Sequence, residues 1–194
     1  MKWSQPADRR VVAAVVATFA EPADGLYAKL LPLSERQWQQ SLFWLDASGL
    51  ALYFLDRIES LGLLNTLPPS IVQRLQQNLA DNGQRSASML EEFLDLNAAV
   101  QKAGVDFCNL KGFTLSPDSC PNPALRCQLD FDFLVDGKHR GLCRELRAQR
   151  GYVLRGATPS VLEFKTDTAR LATIGDLYKI SQQRSIEIHF AFDP

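Results

Sequence analysis

Asp130 and Asp132 stand two residues apart in the alternating run Leu129-Asp130-Phe131-Asp132-Phe133-Leu134-Val135. Side chains alternate along a strand, so the two carboxylates project from one face while Leu129, Phe131, Phe133 and Val135 occupy the other and anchor it. Two like charges on a half-buried strand repel each other and lose hydration. A bound divalent cation removes that penalty, and oxygen donors suit Mg²⁺. An exposed acidic face, or two side chains capping nearby backbone, fits the same spacing. A second alternating run, Ile186-Glu187-Ile188-His189-Phe190, turns its three apolar residues to the core and Glu187 and His189 away from it. If that strand lies beside the aspartate strand, Glu187 becomes a third carboxylate. His189 reads either as a packed, hydrogen-bonded histidine or as a base.

Upstream, Val105-Asp106-Phe107-Cys108-Asn109-Leu110 reads as a short strand, and Lys111-Gly112 follows at once. A glycine directly after a strand lets backbone approach a phosphate. Residues 116–124, rich in Pro, Ser and Asn, form a loop that leads to Arg126. Arg126 either contacts phosphate or pairs with Asp130. Three carboxylates, a metal and a phosphate-binding turn are the parts of two-metal phosphoryl transfer. Other chemistries find no support. The sequence has neither a P-loop nor a dinucleotide fingerprint, and no Ser/His/Asp or Cys/His arrangement stands out. Its cysteines, at 108, 120, 127 and 143, form no C-x-x-C pair. With only two histidines, a structural zinc site is not expected, and reduced thiols in a cytoplasmic protein are.

These residues need a sheet to hold them. After Gly104 the pattern gives strands at 105–110 and 128–135, a helix at 138–150, strands at 152–154 and 161–164, and a hairpin made from 173–180 and 185–192. The first hundred residues read instead as helices. Ser34 and Gln37 make a capping-box pair, and Gly62 ends a stripe of Leu50, Phe54, Ile58 and Leu61. One long helix is expected over 70–102, running through Gly83, with Asn82 and Ser86 filling gaps in an otherwise apolar register. The apolar run after Arg9-Arg10 fits either a short signal peptide or an amphipathic first helix. The fold class is therefore α+β: a helical region over 1–103, then a small mixed-sheet α/β core over 104–194. Twenty-one Lys and Arg against 22 Asp and Glu in 194 residues give a net charge of −1, which argues against bulk coating of nucleic acid. No stretch approaches the roughly 20 apolar residues of a membrane span.

The combination of Leu110-Lys111-Gly112, a Pro-rich loop, Arg126, the Asp130–Asp132 strand and a later Glu187-Ile188-His189-Phe190 resembles the uncharacterised nucleotidyltransferase family of the DNA polymerase β-like superfamily. The resemblance covers most of the chain, including the helical half. It implies a nucleotidyltransferase-like core and transfer of NMP from an NTP, ATP as first candidate, to a small molecule, a protein or an RNA end, with release of pyrophosphate. It implies Mg²⁺ or Mn²⁺ as cofactor, with Asp130 and Asp132 holding both ions and Glu187 helping to hold the catalytic one. Lys111 and Gly112 would lie near the triphosphate, with His189 outside the metal's direct ligands. The alternative is a non-catalytic relative that keeps the fold and binds a nucleotide or a partner. Two positions depart from the pattern: Phe113 follows Gly112 where the superfamily places Gly or Ser, and Phe190 replaces Trp. Members of the family resembled usually continue into further helices, so a chain that stops at Asp193-Pro194 reads either as a fragment truncated at its C-terminus or as a naturally short protein.

Overall fold

A computed structural model of the chain describes residues 6–148, 150–167 and 173–191, and the side chains among these other than 146–148 and 174. The chain end, residues 192–194, lies outside the described residues. Five helices come first: α1 (Arg9–Ala17), α2 (Leu26–Leu30), α3 (Glu35–Ala47), α4 (Ala51–Ser60) and α5 (Pro69–Lys102). Val11, Ala14 and Val15 are buried, so the apolar run after Arg9-Arg10 is an amphipathic helix, capped by the Asp8 carboxylate accepting from the Arg10 N–H at 2.8 Å. The capping box at α3 is closed in both directions: the Ser34 N–H donates to Gln37 Oε1 at 2.9 Å, and the Gln37 N–H donates to Ser34 Oγ at 3.4 Å. Trp38 of α3 stacks on Phe54 of α4 with ring centroids 5.6 Å apart, at the centre of the helical core.

The 34-residue α5 serves two cores. Its first turns place Ile71 and Leu75 in the helical core, and its last place Met89, Phe93, Leu96 and Val100 against a sheet. Between them the buried stripe turns polar at Asn82, Arg85 and Ser86. These side chains grip the irregular segment that leads to the aspartate strand. Asn82 Nδ2 donates to the carbonyls of Ala124 and Arg126 at 2.7 and 3.0 Å, and Ser86 Oγ donates to Pro123 O at 3.5 Å. The polar gap in the helix register is thus where α5 satisfies loop backbone that would otherwise be buried without partners.

The sheet has the order β1-β2-β5-β4-β3, with β1 (Phe107–Asn109), β2 (Asp130–Asp136), β3 (Tyr152–Ala157), β4 (Val161–Thr166) and β5 (Ser185–Ala191). β2 and β5 run parallel; the other neighbours are antiparallel. One face carries Phe131, Phe133, Val135, Leu162, Phe164, Ile186, Ile188 and Phe190 against α5, with Cys143 of α6 (Arg140–Ala148) in the same core. Burying an aromatic or aliphatic side chain of this size stabilises by roughly 1.5–3 kcal/mol, so this face fixes the register. The opposite face carries the polar residues. The fold is α+β, a helical region followed by a small mixed sheet, as the sequence pattern leads one to expect.

Two expectations differ from what is found. Residues 173–180 do not form a hairpin strand; they make a short 3₁₀ turn at Ile174–Asp176 followed by turns, and β5 pairs with β2 and β4 instead. The segment is drawn to the helical core, where Tyr178 is buried and its hydroxyl donates to Asp46 Oδ1 at 3.1 Å. Arg74 Nη2 lies 2.6 Å from the other oxygen of Asp46. Burial raises the Asp46 carboxyl above its ordinary range, while Arg74 and Tyr178 pull it back. Leu129 is exposed rather than anchored, because β2 starts at Asp130 and Gln128 is the residue that turns inward.

None of the four cysteines is in a disulfide, and Cys108 alone among them is exposed. Burial pushes the Cys127 thiol up to about 11, partly offset by Arg85. Thiolate is the reactive species, so iodoacetamide at pH 8 should modify Cys108 first and leave Cys120, Cys127 and Cys143 largely unmodified until the protein unfolds. Peptide mass mapping over a time course checks this; early modification of Cys127 would contradict its packing against the helical core. No helix among the described residues is long and apolar enough to cross a membrane.

Candidate functional site

The site is built from the polar face of β2 and β5. Parallel pairing sets Asp130 opposite Ser185, Asp132 opposite Glu187 and Leu134 opposite His189. Asp130, Asp132, Glu187 and His189 therefore share one face, with their apolar neighbours on the other. Antiparallel β1 runs alongside; the Leu110 N–H donates to Asp132 O at 3.1 Å, one residue beyond the strand proper. That bond delivers Lys111 to the carboxylates. Its Nζ lies 3.3 Å from Asp132 Oδ1 and 3.7 Å from Asp130 Oδ2. Desolvation is the largest single influence on Lys111 and disfavours its charge. Asp130, Asp132 and Glu187 together outweigh it, so the ammonium is held above its ordinary value.

Asp132 is the centre of the arrangement. Its side chain is 0% exposed, and among the described residues neither of its oxygens accepts a hydrogen bond. Lys111 and His189 approach Oδ1 only at ion-pair distances, 3.3 and 3.5 Å. His189 Nε2 is also 3.5 Å from Glu187 Oε2, and donor atoms of Asp132, Glu187 and His189 all lie within 4.8 Å of one another. A buried carboxylate without hydrogen bonds is costly, and a cation bound at its oxygens relieves that cost. These residues therefore fit a divalent ion.

The turn after Lys111 is shaped by Gly112, which has φ +77° and starts a short 3₁₀ turn, Gly112–Leu115. A Cβ there would run into the Gln128 amide. The same amide donates to Asp130 O, and the Gln128 carbonyl in turn accepts from Arg85 Nη1 of α5. Backbone at Asp130 is thus held through Gln128 to the long helix. Burial lowers Arg85 from its ordinary value, and its Nε and Nη2 have no hydrogen-bond partner among the described residues. Phe113, the residue that departs from the Gly-Gly or Gly-Ser pattern, packs its ring 5.6 Å from Phe93 and 6.4 Å from Phe131, so the turn is fastened to the sheet core. Phe190 is buried, with the Arg140 guanidinium 4.8 Å above its ring.

Arg126 makes no ion pair with the carboxylates among the described residues. It lines a small cavity with Gly112, Phe113, Cys120 and Gln128, and Asp130 takes Lys111, not Arg126, as its ion partner among the described residues. Sequence patterns alone do not single out two further contributors. Gln128 and Arg85 support the strand from behind, and their one signal in the sequence is the polar break in the α5 stripe. Glu163 of β4 stands opposite Glu187, extending the acidic row across three strands, though Lys165 Nζ neutralises it at 2.7 Å. Its outward position is legible in the Val161-Leu162-Glu163-Phe164 alternation.

A family model described as uncharacterised nucleotidyltransferase matches residues 34–194, and the chain belongs to that family. The match takes in α3 to α5 and the whole described sheet. No curated protein and no solved structure matches the chain.

Proposed function

We propose that this member of the uncharacterised nucleotidyltransferase family transfers NMP from an NTP, ATP as first candidate, to a small molecule, a protein or an RNA end. An acceptor oxygen forms a bond to the α-phosphorus, the bond to the bridging β-phosphate oxygen breaks, pyrophosphate leaves and the acceptor gives up its proton. The observation that carries this reading is the buried Asp132 carboxylate, without hydrogen bonds among the described residues, set against Glu187, His189 and Lys111 on one sheet face. Asp130, Asp132 and Glu187 would hold Mg²⁺ or Mn²⁺, which neutralises the developing phosphoryl charge and lowers the pKa of the acceptor. The Lys111 ammonium sits where an arriving polyphosphate displaces carboxylate oxygens as its partner. Four cysteines outside any disulfide suit a reducing, cytoplasmic setting.

The test is a thermal-shift screen of the four NTPs with and without Mg²⁺ or Mn²⁺, followed by an assay for pyrophosphate. An NTP at about a hundred times its Kd stabilises by about 2.7 kcal/mol, or roughly 5–10 °C for a chain of this length. Binding with metal but no pyrophosphate across an acceptor panel would favour the non-catalytic reading. Absence of any metal-dependent nucleotide response would sink both. Lys111→Gln should raise KM for the NTP about tenfold, the equivalent of one 1.4 kcal/mol contact, while leaving the fold intact. An unchanged KM would remove Lys111 from the phosphate site.

A further inference from the structure

The three donor groups that converge on this face, those of Asp132, Glu187 and His189, are not all oxygens. We propose that His189 is itself a metal ligand: Asp132, Glu187 and His189 form one mixed oxygen–nitrogen site, which takes a first-row transition dication such as Co²⁺, Mn²⁺ or Zn²⁺ in preference to Mg²⁺. This rests on the metal-dependent reading of the site and adds to it a nitrogen ligand and a preferred class of ion.

The geometry carries it. Donors bound at about 2.1 Å to one ion lie roughly 3.0 Å apart when cis in an octahedron and about 3.4 Å apart in a tetrahedron. His189 Nε2 is 3.5 Å from Asp132 Oδ1 and 3.5 Å from Glu187 Oε2. Small side-chain rotations bring all of these onto a common ion, since the whole set already lies within 4.8 Å. The strand register explains the convergence: β5 places Glu187 directly beside Asp132 and His189 one pleat further along the same face. Asp130 is not one of the three donors that lie within 4.8 Å of one another, and Lys111 Nζ stands between it and Asp132, at 3.7 and 3.3 Å. Asp132 supplies the independent sign of a ligand. Its side chain is fully buried, its Oδ1 faces His189 Nε2 at 3.5 Å, and no hydrogen bond among the described residues satisfies either of its oxygens. Imidazole nitrogen is a good donor to later first-row ions and a poor one to Mg²⁺, which prefers oxygen in near-ideal octahedra.

The experiment uses the full chain and the metals alone. Calorimetric titration should show Co²⁺ binding tighter than Mg²⁺. His189→Gln should weaken Co²⁺ by about tenfold or more and leave Mg²⁺ within about threefold. Pulsed EPR of bound Mn²⁺ on the unaltered protein should show ¹⁴N coupling from an imidazole, which needs no variant to fold; His189→Gln should abolish it. Asp132→Asn should remove high-affinity Co²⁺ binding. Two failures are distinguishable. If Asp132→Asn removes metal binding but wild-type Mn²⁺ shows no ¹⁴N coupling and His189→Gln binds Co²⁺ normally, the metal site stands and His189 is not a ligand. If Asp132→Asn leaves Co²⁺ binding intact, the metal reading of the site fails and this inference falls with it.

Discussion

Asp132→Asn should raise the thermal midpoint of the metal-free protein while abolishing its metal-dependent nucleotide response. The wild-type carboxylate is fully buried and accepts no hydrogen bond among the described residues, with Lys111 and His189 near it only at 3.3 and 3.5 Å. Asparagine keeps the shape and removes the charge. Leaving a buried polar group unsatisfied costs about 1–3 kcal/mol, more when it is charged. Some of that cost is recovered by Lys111, so a net gain of about 1 kcal/mol is expected from the substitution, or roughly 2–4 °C. The same change removes the central metal ligand. Transfer should fall on the order of 10³-fold, equivalent to about 4 kcal/mol of lost transition-state stabilisation. Opposite signs for stability and activity identify a residue retained for function, because a structural aspartate would lose both. Differential scanning fluorimetry with and without Mn²⁺, run beside a pyrophosphate assay, checks the pair. A lowered midpoint with an intact metal response would place Asp132 among structural residues.

Legibility in the sequence depends on how local the causes are. The capping box at Ser34 and Gln37, the long α5 and the β2 alternation are set by residues close in sequence, and they are found within a residue or two of where the spacing puts them. The pleat also turns Asp130, Asp132, Glu187 and His189 away from the core, as alternation requires. What alternation does not supply is partnership. That β5 lies parallel to β2, with Glu187 opposite Asp132, depends on the crossover between them. The false hairpin at 173–180 has the same origin. The local pattern suits a strand, but Tyr178 finds Asp46, which is 132 residues away in the chain, and the segment goes to the helical core. Leu129 departs from its expected place for a subtler reason: the strand begins two residues later than expected, at Asp130, and the buried Gln128 takes the inward position, its carbonyl bonded by Arg85 of α5.

That same contact chain makes Gly112→Ala the most damaging small substitution expected near the site. Gly112 has φ +77°, where a Cβ costs roughly 1–2 kcal/mol from backbone alone. At Gly104, with φ +71° and open space where a Cβ would stand, Gly104→Ala should show that cost and little else. At Gly112 the new methyl also meets the Gln128 side chain, whose amide donates to the Asp130 carbonyl. Relief requires Gln128 to move, and Gln128 is held by packing and by Arg85, so a further cost of about 1–3 kcal/mol from overpacking is expected. The sum, about 2–5 kcal/mol, lowers the thermal midpoint on the order of 10 °C. Because Gln128 braces Asp130 and Gly112 follows Lys111, the damage should extend to nucleotide binding at temperatures where the variant is still folded. A double-mutant cycle separates the causes. Gly112→Ala combined with Gln128→Ala should be less destabilised than the two single changes predict by addition, since the second substitution empties the space the first one needs. Strict additivity, or equal losses at Gly112 and Gly104, would show that φ alone matters at this turn and that Gln128 does not brace the aspartate strand.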